Sequence, residues 1–114
     1  MMLRLRLRPT IGGRNMYERL DPQHLKVMVS PLSFYGAELG LTFAAPVGDW
    51  AIGGLCPFHD DGREGSFRVH TASGGFICFS CGAKGGDVIA FARLRHRLSF
   101  PDALSYVARI GGGQ

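Results

Sequence analysis

Four side chains in the 114-residue sequence stand at metal-ligand spacing. Cys56 and His59 are three apart, Cys78 and Cys81 are three apart, and eighteen residues lie between the pairs. Two residues at i and i+3 on a tight turn can both point at one ion, and Zn²⁺ takes four tetrahedral ligands from thiolate and imidazole. Pro57 stiffens the first turn, and Gly82, directly after Cys81, suits the positive φ that such a turn demands. Three Cys and one His form a closed shell without a place for a catalytic water, so the expected cofactor is one structural Zn²⁺. No catalytic residue is expected. Iron can occupy such a site, but the ligand pattern favours zinc. His70 is a second imidazole that could replace His59, although its mid-strand position beside Arg68 also fits an exposed sheet residue. A redox role for Cys78 and Cys81 would require a βαβ setting, which this sequence lacks.

The elements that must position these ligands can be read from turn and capping signals. Asp21-Pro22 and Ser30-Pro31 each pair an N-cap with a proline at the first helical position. They open helices expected to run to about Val29 and to Gly40. "LTFAAPVGDWAI" reads as two short strands joined by a turn at Pro46 to Asp49. "SFRVHT", "ASGG" and "FICF" read as strand, turn and strand, with Phe67 and Val69 on one face and Arg68 and His70 on the other. Asp87 opens an amphipathic helix whose Val88, Phe91, Ala92 and Leu94 are expected to pack on the sheet. Ser99 to Asp102 resembles a capping box and starts a last helix, about Phe100 to Arg109, that buries Leu104, Val107 and Ala108. The terminal "GGGQ" is expected to fray.

Length argues for one domain, and 46% hydrophobic with 19% charged residues is globular composition. The formal net charge is +4. Arg4, Arg6, Arg8 and Arg14 fall in the first fifteen residues, leaving nine basic against nine acidic residues from Met16 onward. A polyanion would therefore meet local patches rather than a global field. Residues 1–15 are expected to be a disordered basic leader. An edge strand, a basic arm, or translation starting at Met16 are the alternatives. Three cysteines, an odd number, do not make a disulfide framework and suggest a reducing cytoplasm. No apolar run approaches membrane-span length, so no membrane partner is expected.

Four fragments in order, "CPFH", "SF.V", "F.CF.CG" and "GD.I.F", span about Trp50 to Phe91. They resemble the zinc-binding domain of bacterial DnaG-type primases and their phage and plasmid relatives. The resemblance implies an α+β fold over residues 16–111: a zinc ribbon with a small antiparallel sheet, flanked by short N-terminal and C-terminal helices. It implies that Cys56, His59, Cys78 and Cys81 are the zinc ligands, and that the domain engages single-stranded DNA where a primer starts. The family often has Lys-Thr-Pro-Ser-Phe before the central strand. Here the stretch is Arg63-Glu64-Gly65-Ser66-Phe67, which keeps a cation, adds an acid and loses the proline.

Single-strand binders combine cations that follow phosphates with aromatic faces that stack on bases. The candidate cations are Arg63, Arg68 and Lys84. The candidate stackers are Phe76 and Phe79, with His70 beside them, and alternation allows only one of the two phenylalanines to share the Arg68/His70 face. Arg93, Arg95 and Arg97 diverge around their helix and rank lower. The nine acids are scattered, so primer synthesis by this chain alone is not expected, and a separate primase catalytic subunit or a replicative helicase becomes the expected partner. A protein-docking ribbon without DNA contact is the alternative, favoured by the neutral body.

Overall fold

The computed structural model describes residues 21–43 and 48–111. The expected leader, the turn residues Pro46 and Val47, and residues 112–114 lie outside the described residues.

A proline and a capping oxygen open each of the first two helices. Asp21 accepts the Gln23 amide at 3.0 Å ahead of α1 (Pro22–Met28), and Ser30 accepts the Ser33 amide at 3.4 Å ahead of α2 (Pro31–Leu39). In both, proline occupies the first turn, where its missing N–H costs nothing. Four strands follow: β1 (Trp50–Ile52), β2 (Phe67–His70), β3 (Phe76–Cys78) and β4 (Lys84–Gly85). They form an antiparallel meander in chain order. Asp87 caps α3 (Val88–His96) by accepting the Ala90 amide at 2.8 Å, and its other oxygen meets Lys26 of α1 at 2.9 Å. Ser99 accepts the Asp102 amide at 3.2 Å and starts α4 (Phe100–Gly111).

Strand alternation divides the sheet into two faces. Ala51, Phe67, Val69, Phe76 and Cys78 are buried against the helices. Phe91 of α3 joins the layers: its ring meets Tyr35 at 5.0 Å, Phe58 at 5.3 Å and Phe76 at 5.3 Å, each edge to face. Such aromatic pairs add to the burial of their large apolar area. The buried Tyr35 hydroxyl donates to the Gly74 carbonyl at 2.7 Å, tying α2 to the β2–β3 turn. β4 passes so close to this core that a Cβ on Gly85 would stand 2.5 Å from the Phe76 ring. Glu38 of α2 gathers α3 and α4, accepting from His96 Nε2 of α3 at 2.6 Å and from the Tyr106 hydroxyl of α4.

Two expectations are corrected. Leu41 to Phe43 form no strand: the Leu41 amide donates to the Gly36 carbonyl at 3.0 Å and closes α2, whose C-cap Gly40 has φ +70°. Of the expected strand pair, Trp50–Ile52 forms, and the described part of the other, residues 41–43, does not. Leu94 is 50% exposed. The buried stripe of α3 runs through Val88, Ile89, Phe91 and Ala92, and Leu94 lies about 240° round the helix from Val88. β4 carried no sequence expectation, since Lys-Gly-Gly reads as turn.

Candidate metal centre and nucleic-acid interface

Both ligand turns leave the same end of the sheet, where Ile52 stands opposite Arg68 and Phe67 opposite Cys78. The first follows β1, and the second leaves β3 and returns as β4. Gly82 adopts φ +85° there and turns the chain after Cys81. The turns bring Cys56, His59, Cys78 and Cys81 together, with one ligand atom from each lying within 4.8 Å of all the others. Cys56 Sγ stands 3.9 Å from Cys81 Sγ, and Cys78 Sγ stands 3.9 Å from His59 Nδ1. Zinc–sulfur bonds of about 2.3 Å place tetrahedral sulfurs about 3.8 Å apart, so this group fits one structural zinc ion. Three thiolates and a neutral imidazole would leave the loaded site with an excess negative charge. Backbone amides offset it: Phe58 N donates to Cys56 Sγ at 3.3 Å, and Ser80 N and Cys81 N each donate to Cys78 Sγ at 3.4 Å.

These surroundings pull two thiols apart in acidity. Burial pushes Cys56 up to about 12. Burial also raises Cys78, but the Cys81 and Ser80 amides together with the Cys56 and Cys81 thiols outweigh it and hold that thiol below its ordinary range. Asp61 supports the first turn. It accepts the Cys56 amide at 2.8 Å, and its other oxygen faces His59 Nε2 at 3.6 Å. The Cys56 amide holds its carboxyl below the usual range against the opposing push of burial, with the Arg63 and Gly62 amides and His59 adding to the effect. A carboxylate behind a ligating imidazole fixes the ring's tautomer and orientation. At 3.6 Å Asp61 faces His59 Nε2 from beyond hydrogen-bond distance, while Nδ1 is the ring nitrogen on the side of Cys78 Sγ. The sequence reading missed Asp61, whose only signal was its place two residues after His59.

The remaining candidates divide. Arg68 and His70 lie half-buried on the outer sheet face, and Lys84 is exposed on β4. Ile52 stands opposite Arg68, Arg68 opposite Ile77, and Ile77 opposite Lys84, one row across four strands. Phe79 is 71% exposed and lines a depression with Trp50, Arg68 and Ile77. Phe76 is corrected: it is buried on the inner face and is not a stacker. Arg63 is exposed near Asp61, off the strands. His70 is not brought to the metal group. Its Nδ1 instead accepts the Ala72 and Ser73 amides at 3.2 and 3.0 Å. Trp50, absent from the sequence candidates, sits on this face 46% exposed. Alternation within Asp-Trp-Ala-Ile could have placed it there.

Comparison with known proteins agrees with this architecture. The family model described as the CHC2 zinc finger matches residues 48–113. The chain is similar to the DNA primase of Deinococcus radiodurans, 44% identical over 69 residues, which are 60% of this chain and 12% of that protein. It is also similar to the DNA primase of Mycolicibacterium smegmatis, 45% identical over 58 residues, 51% of this chain and 9% of that protein. The chain thus spans about a tenth of the length of the curated relatives it matches. The crystal structure of the Aquifex aeolicus primase, zinc-binding and RNA polymerase domains, aligns with 79% of this chain and 21% of its own, at TM-score 0.59 and 28% identity. Among the described residues no helix is long and apolar enough to cross a membrane. With the family model covering the sheet, the four converging ligands and both C-terminal helices, the chain belongs to the CHC2 zinc finger family of DnaG-type primases.

Proposed function

We propose that this chain is a noncatalytic, zinc-stabilised module that binds single-stranded DNA template in primer synthesis during DNA replication, in the cytoplasm. The outer sheet face carries this reading. It combines exposed aromatic rings, Trp50 and Phe79, with Arg68 and Lys84, and none of the four strands contributes an acidic residue. Cations for phosphates beside flat apolar faces for bases are what single-strand binding requires. Cys56, His59, Cys78 and Cys81 would hold one zinc ion that locks the two turns bordering this face, and Arg63 extends its positive rim. Similarity to proteins that are DNA primases supports a role in replication. Phosphoryl transfer needs held metal ions, and among the described residues the metal-ligating group is the closed Cys-His-Cys-Cys set, so the proposed partners of this module are a primase catalytic domain and a replicative helicase.

Fluorescence anisotropy of a labelled oligothymidylate with the zinc-loaded chain tests the reading. Binding that weakens steeply with salt is expected, because phosphate contacts release counterions. A second reading, a protein-docking ribbon without DNA contact, is favoured by Leu94 and Phe100, 50% and 42% exposed at the α3–α4 corner. Absence of strand binding at low salt would favour it.

A further inference from the structure

Two depressions lie side by side on the outer sheet face. Trp50, Arg68, Ile77 and Phe79 line the first, and Trp50, Ile77, Lys84 and Gly85 line much of the second. Trp50 and Ile77 belong to both. At about 280 and 480 Å³, the first is just below and the second within the lower half of the range of small-molecule sites, about 300–1,000 Å³. That size suits one flat ring in each. Each depression also has its own cation, Arg68 in the first and Lys84 in the second.

Trp50 is held in a fixed pose. Its partner across β1 and β2 is His70, and the two rings meet edge to face at 5.0 Å and 86°. His70 is itself pinned by the Ala72 and Ser73 amides on Nδ1, which leaves its proton on Nε2. Swinging the imidazole away would break both of these bonds, so the indole rests against a steadied edge. Arg68 is similarly anchored, its Nε donating to the Gly65 carbonyl at 2.8 Å. Among the described residues neither of its Nη groups has a hydrogen-bond partner. Arg68 and Lys84 lie in one row two strands apart, roughly 10 Å at ordinary strand spacing, which suits separate phosphates rather than one.

We propose that this face takes two consecutive bases of a single strand, one in each depression, with Trp50 as their shared wall and Phe79 closing the first. The proposal rests on the single-strand reading above. It adds a two-nucleotide footprint and makes Trp50 the principal stacking residue, with His70 as its positioning residue.

Trp50 is the only tryptophan in the sequence, so indole emission reports on both depressions. The zinc-loaded chain is titrated with thymidine monophosphate, with dithymidylate and with a longer labelled oligothymidylate, following emission and anisotropy. Dithymidylate is expected to change Trp50 emission, to displace the longer strand, and to bind at least about tenfold more tightly than the mononucleotide, as a second stacked base implies. Trp50→Ala is expected to weaken the longer strand by about tenfold or more, whereas Trp50→Phe, which keeps a ring, stays within about threefold. If the longer strand binds while emission and the affinity of Trp50→Ala stay unchanged, the two-base register is overturned and the single-strand reading stands. If no strand binds at low salt, both fall. Should Trp50→Ala fail to fold, the dithymidylate response of the unaltered chain decides.

Discussion

Cys56 Sγ and Cys81 Sγ lie 3.9 Å apart although 25 positions separate them in the chain. A disulfide would hold the two sulfurs at about 2.05 Å, so the pair stands at coordination distance. Between them run β2 and β3, the two central strands of the sheet. An ion bridging the pair closes that segment, and in a domain of this size such closure is a large part of the folding free energy.

Asp61 is expected to matter to the ion without touching it. Asp61→Ala removes both the acceptor for the Cys56 amide and the partner of His59 Nε2. Loss of an outer partner of a ligating imidazole typically lowers metal affinity about 10- to 100-fold. Chelator competition should register that loss while one zinc per chain still binds at saturation. Unchanged affinity would mean that Asp61 does not orient His59.

Tyr35→Phe leaves the buried Gly74 carbonyl without its 2.7 Å donor. An unsatisfied buried acceptor costs about 1–3 kcal/mol. Urea denaturation of the zinc-loaded chain should show that loss in midpoint with little change in slope. A neutral result would mean that water or a shifted turn replaces the hydroxyl.

The Glu38–Tyr106 contact sets an alkaline limit. Burial, followed by the hydrogen bond to Glu38, pushes Tyr106 up to about 12 from its ordinary 10.0. A raised value means that the folded state holds the proton more tightly. The stabilisation is complete below pH 10.0 and is lost as pH rises through about 12. Tyr106→Phe should therefore reduce stability at neutral pH and flatten the decline across that window. Parallel stability curves for the two proteins would remove Tyr106 as the cause.

Arg68→Ala and Lys84→Ala should leave the melting temperature near that of the unaltered chain and weaken strand binding at every sequence tested. Each lost phosphate contact lowers the slope of log affinity against log salt by about 0.7 for a single strand. An unchanged slope in both variants would move the phosphate path off the sheet.

Much of this fold was legible because its signals are local. Asp21, Ser30, Asp87 and Ser99 cap the helices they were expected to cap. Period-two alternation placed Phe67 and Val69 inside and Arg68 and His70 outside. The converging ligand group was legible from two i, i+3 pairs with turn residues beside them. What escaped depends on pairing across the chain. Trp50 becomes a surface feature only once β1 lies beside β2, with Trp50 opposite His70. Lys84 and Gly85 form a strand because β3 offers a free edge, not because of their own propensity. Leu94 failed as a core residue because an apolar residue off the buried stripe of a short helix has no layer to meet.

Zinc content measured alongside thermal unfolding, for the unaltered chain and for Cys78→Ser, tests the central claim most directly. One zinc per chain is expected in the first. In the second, the metal and the cooperative transition should both be lost, since structural zinc contributes on the order of 10 kcal/mol in small domains. Full zinc content and an unchanged melting temperature in Cys78→Ser would contradict the four-ligand centre and the role of the sheet it supports.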